Sequence, residues 1–153
     1  MNGGRRRAVT RAVALVAGLI AVLAFILTSC PGNRDGMPGR LSQAMEETES
    51  AARSGALALD LWGQGRSTAA LTAVQLTDAR DEVITAYDGV AALRADDPAD
   101  VERQRFLTRS MTEIAAQLNS ANAAVRALAG QEQPRNLHRE LLAAADALAR
   151  DYR

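Results

Sequence analysis

The chain is 153 residues long, room for one ordinary domain plus a targeting segment, and it carries 18 arginines, no lysine, 18 acidic residues, one histidine and one cysteine. The net charge of zero hides an asymmetry. Arg5, Arg6, Arg7 and Arg11 all precede the first acid, Asp35, so beyond Cys30 the other 14 arginines face all 18 acids. A body about four charges negative, with arginines scattered among acids, excludes the basic patch that nucleic-acid binding needs to neutralise phosphates.

The first predicted segment is N-terminal. Residues 1–11 are polar and cationic, and Ala12 to Ser29 carry no charge and are almost all apolar. A basic region, an apolar region and a small residue at a cut site make a secretory signal peptide. Leu27-Thr28-Ser29-Cys30 closes the apolar run and holds the lone cysteine. It resembles the lipobox of bacterial lipoprotein precursors. Leu27 takes the branched apolar position, and Ser29 the small position before the cut. The resemblance covers residues 1–30 and implies three things. Cleavage falls between Ser29 and Cys30, Cys30 becomes the first mature residue, and its thiol receives a diacylglyceryl group with palmitate-type chains. Stable anchoring takes about two lipid signals, and a diacylglyceryl group brings two acyl chains. The alternative is an uncleaved anchor, since the run lies near the span of about 20 residues that a bilayer requires. The positive-inside rule leaves the arginines in the cytoplasm and the body outside in both cases.

Pro31 to Arg40 is dense in Gly and Pro, which reads as a flexible tether. The pattern then turns helical. Leu41, Met45, Thr48, Ala52, Gly55/Ala56 and Leu59 recur in steps of three and four, and Gly63-Gln64-Gly65 offers a stop. Ser67 or Thr68 can cap a second helix. Its seam is Ala69, Thr72, Leu76, Ala79, Val83, Ala86, Val90 and Leu93, with Asp78, Asp81 and Glu82 off the stripe. Asp97-Pro98 opens a third helix. Its seam runs Leu107, Met111, Ile114, Leu118, Ala121, Val125 and Leu128 and stops at Gly130. Pro134 reopens a fourth, with Leu137, Leu141, Ala144/Ala145, Leu148 and Tyr152 on its face. No strand alternation follows residue 40, and short connections make neighbours antiparallel. The expected fold is all-α, an antiparallel up-down four-helix bundle of helices 40–62, 68–94, 98–129 and 135–152. The expected organisation is signal peptide 1–29, lipidated Cys30 with tether 30–40, and bundle 41–153. The alternative is a long helical hairpin in which the Gly63–Gly65 break does not form.

Residues with chemistry are few. Carboxylate metal bundles use Glu-x-x-His pairs, whereas His138 is the sole histidine and has Arg135 three positions earlier. It reads as solvated or capping. Met45 and Met111 lie on seams and read as core. Asp78, Asp81 and Glu82 lie on the polar face rather than in the burial a catalytic acid needs. Gly63-Gln64-Gly65 lacks the lysine and spacing of a phosphate loop. Asn122 borders the third seam, where one polar residue can fix register; Asn119 lies nearby. Trp62 reads as packing over the bundle end. Leu57, Leu61, Leu71, Ile84 and Tyr87 are left over from the seams. Their ordinary role is to widen the core stripe, and their sharper one is a partner or dimer face.

No catalytic, cofactor-binding or metal site is expected. The expected role is a lipid-anchored helical module at the extracytoplasmic face of the bacterial cell membrane. It is held there through Cys30 and meets a protein or envelope component or a second copy. In outline the body also resembles the four-helix ectodomains of bacterial chemoreceptors and sensor kinases. That architectural likeness covers no motif and implies a small-molecule-binding or sensory domain as the alternative.

Overall fold

The computed structural model describes residues 36–127 and 132–152. The signal peptide, Ser29, Cys30, the first part of the tether, Leu128 and Gly130 lie outside the described residues. Four helices follow one another: α1 (Met37–Gly63), α2 (Ala69–Ala91), α3 (Pro98–Arg126) and α4 (Glu132–Asp151). α1 packs against α2 and α4, α3 packs against the same two, and α1 also meets α3 across the centre. The backbones of α2 and α4 stay apart, among the described residues. This is the expected four-helix bundle with a short diagonal.

The helix ends follow from local chemistry. α1 starts at Met37, inside the stretch read as tether. Gly36 takes φ +92, which only glycine adopts without strain, and Pro38 falls in the first turn, where its missing N–H has no partner to lose. Met37 packs against the core, which draws the helix start forward. α1 ends in a Schellman turn. Gly65, at φ +71, donates its N–H to Trp62 O at 2.9 Å, and Arg66 N–H reaches Leu61 O at 2.8 Å. The break therefore forms, and the long-hairpin alternative is overturned.

Thr68 caps α2, its Oγ1 accepting the Leu71 N–H at 3.2 Å. Asp97 caps α3, accepting the Ala99 N–H at 2.8 Å, with Pro98 next. Asp100 sits in the first turn of α3, where the helix dipole favours a negative charge. It is buried and paired with Arg103 at 2.9 Å. α2 ends three residues before the expected 94. A side chain from another helix meets this end: Gln104 Nε2 on α3 donates to Val90 O in the last turn at 2.7 Å and to Leu93 O just beyond it at 3.0 Å.

The core is a column of Leu, Val, Ile and Met lined with alanine. Leu41, Leu59, Leu76, Leu107, Met111, Ile114, Leu118, Leu141 and Leu148 are fully buried. Ala51, Ala52, Ala56, Ala121 and Ala145 fill the narrower places between them. Gly55 marks the closest approach. A Cβ there would lie 2.5 Å from Leu118 Cδ2, 3.5 Å from Leu76 and 3.7 Å from Leu141, one leucine from each of the other helices.

Candidate functional site

The α1–α2 pair carries the most distinctive surface of the bundle. Ala44, Ala51 and Ala58 recur every seven residues on α1, as do Thr72, Ala79 and Ala86 on α2, and all six are buried. Residues at that spacing share one helix face. Small side chains along both faces let the helices approach closely, so a furrow runs along the outside of the pair. Its middle is a cleft of about 660 Å³ whose walls carry Glu46 and Glu47 from α1 and Asp78, Asp81 and Glu82 from α2. The furrow continues into a cleft of about 280 Å³ beside Leu57 and Leu61.

The lining groups are exposed carboxylates, some of them in ordinary surface contacts. Gln43 Nε2 donates to Glu47 Oε1 at 2.9 Å, and Arg80 pairs with Asp81 at 2.8 Å. Among the described residues no three of His, Cys, Asp and Glu converge to hold a metal ion. Asp78, Asp81 and Glu82 are solvent-facing, as their off-seam positions imply. Sequence reasoning missed their counterparts. Glu46 and Glu47 turn one charged helix face into a two-helix acidic furrow. The signal was present, because an antiparallel pair turning at 64–66 sets residues at similar distances from the turn across from each other, which puts Glu47 and Glu82 on one cleft.

The leftover apolar residues divide. Leu61 and Ile84 are half-buried, and Leu61 lines the smaller cleft. Leu57 and Leu71 are more open: they are 56% and 52% exposed, and Val74, which the sequence left unremarked, is 56% exposed. Leu71 and Val74 each stand four residues before a furrow residue, Gln75 and Asp78, on the same side of α2. The core-widening expectation therefore fails for Leu57 and Leu71, since the alanine floor brings α1 and α2 together beneath them. Tyr87, 36% exposed, belongs to another side of α2.

The other singled-out residues are structural ties. His138 is neither solvated nor capping: it is half-buried, and its Nδ1 lies 2.9 Å from Ala56 O, so the protonated nitrogen donates from α4 to the α1 backbone. Asn122 Nδ2 donates to Thr77 Oγ1 at 2.8 Å, joining α3 to α2, and accepts from Arg126 Nε at 2.9 Å. Thr77 in turn donates to Ala73 O at 2.9 Å. Asn119 is exposed. Arg53 bridges Glu49 at 2.9 Å and Asp146 of α4 at 2.8 Å. The Glu49 hydrogen bond, ahead of the Asp146 charge, raises the Arg53 pKa further, so it stays cationic. Trp62 is half-buried against the core at the end of α1, and Met111 lies inside it. At the opposite end, Tyr152 lies by Asp100, Arg103 and Phe106. Burial first, then Asp100, pushes the Tyr152 phenol above its usual value near 10, against an opposing pull from Arg103.

No helix among the described residues is long and apolar enough to cross a membrane. No family model matches the chain, and neither a curated protein nor a solved structure matches it.

Proposed function

We propose that the protein is a lipid-anchored interaction module of the bacterial cell envelope, tethered through Cys30 at the extracytoplasmic face of the membrane. The observation that carries this reading is the coincidence at residues 1–30. Four arginines, an uncharged apolar run, a small residue and the sole cysteine stand in the order a lipoprotein precursor requires. A diacylglyceryl group on the Cys30 thiol supplies two acyl chains, enough for a stable anchor. The body supports the second half of the reading. Its His138 and Asn122 are engaged in holding helices together, and its buried Asp100 is paired with Arg103 within α3. Its least satisfied surface is the exposed apolar and acidic face of α1–α2. Such a face suits recognition of another macromolecule.

The test is the fate of Cys30→Ala in the native host. The variant is expected to accumulate as an uncleaved precursor without lipid. A processed chain of unchanged mass that still fractionates with the membrane would overturn the assignment.

A further inference from the structure

The α1–α2 furrow joins two features that a merely solvated helix pair does not need together. Near the Gly63–Gly65 turn, Leu57, Leu71 and Val74 each leave half or more of their surface in water, with Leu61 beside them. Further along, the same furrow is walled by carboxylates from both helices. Resting on the reading of the protein as an interaction module, we propose that this furrow receives a cationic amphipathic helix of a partner protein. The partner's apolar residues seat on Leu57, Leu61, Leu71 and Val74, and its Arg or Lys side chains run along Glu47, Asp78 and Glu82.

Charge complementarity selects this occupant. A second copy docking by the same face in a two-fold dimer brings two acidic walls into one interface, and like charges at an interface repel. An anionic lipid surface is repelled for the same reason. A cationic helix meets attraction along the walls and apolar contact at the end, the groove mode in which anchors recur every three or four residues. The dimensions agree. From Glu46 to Leu61 the furrow spans about 24 Å of helix, enough for roughly four turns of a partner helix laid along it. The small residues Ala44, Ala58, Ala79 and Ala86 along its floor leave room for long cationic side chains to lie flat.

The experiment places a photo-reactive residue at Val74 of the full chain in its native membrane, with a control at Glu113, exposed on α3. Adducts are digested and sequenced by mass spectrometry. The expected Val74 adduct maps to a segment of another protein with Lys or Arg at helical spacing. It falls at least fivefold when Asp78→Arg and Glu82→Arg are introduced together. Asp78→Asn with Glu82→Gln lowers it in the same direction, which separates loss of charge from loss of fold. An adduct to a second copy, to lipid or to an uncharged segment overturns the proposal. So does an adduct indifferent to these charges, or none. A protein adduct from Glu113 alone sinks the furrow while leaving an interaction role standing, and silence at both positions sinks both.

Discussion

At Gly55 an absent side chain sets how near the helices come. A Cβ there would sit 2.5 Å from a Leu118 methyl that is itself fully buried and has Leu76 and Leu141 as neighbours. A larger side chain at 55 therefore needs that methyl to move within a buried core. Gly55→Val is expected to cost about 2 kcal/mol, the usual scale for overpacking a filled core, and a denaturant midpoint lowered with unchanged slope would read it. Tyr152 makes a different kind of prediction. Its folded-state pKa lies above its unfolded value near 10. Its contribution is therefore unchanged at any pH below 10 and is lost as pH rises through the folded value. The chain has no lysine, and arginine keeps its charge there, so few other side chains titrate in that window. Tyr152→Phe is expected to flatten the alkaline fall of stability above pH 10. A melt series across that range checks it, and an equally steep fall in the variant would contradict it.

Among the elements, those with a side chain to announce their ends were legible beforehand. Thr68 and Asp97-Pro98 mark starts within a residue of the observed ones, and Gly65 marks a stop, because each acts on its own backbone neighbours. The ends set at a distance were not. α2 stops at Ala91, where Gln104 from α3 meets the Val90 and Leu93 carbonyls on either side of the end, a contact made only once the helices are packed. α1 begins early because Met37 finds the core. His138 looked like a surface residue because nothing in its own helix reveals the Ala56 carbonyl across from it. The three-four seams, by contrast, were nearly all buried as read, since burial of a stripe is a property of the helix alone. Gln104 carries this scale's prediction. Gln104→Ala leaves the Leu93 carbonyl to water, while Val90 O keeps the Leu93 N–H, and is expected to cost about 1 kcal/mol. It should also raise amide exchange in the last turn of α2 while α4 stays protected. Equal loss of protection in α2 and α4 would mean the contact supports the whole bundle instead.

For the whole molecule, the furrow shows why a site spread over two helices escapes a reading of one helix at a time. Asp78, Asp81 and Glu82 looked like a solvated face, and Leu57 and Leu71 like spare core. Only the close approach of α1 and α2 on their alanine stripes turns them into one surface, with acids along it and apolar residues at its end. The address of the protein belongs to a separate stretch of sequence, so its test does not depend on the bundle. The most direct measurement is the intact mass and first residue of the chain purified from host membranes. The account predicts a chain that starts at Cys30 and carries a diacylglyceryl group on that thiol. A chain that keeps residues 1–29, or one whose Cys30 is unmodified, would contradict it.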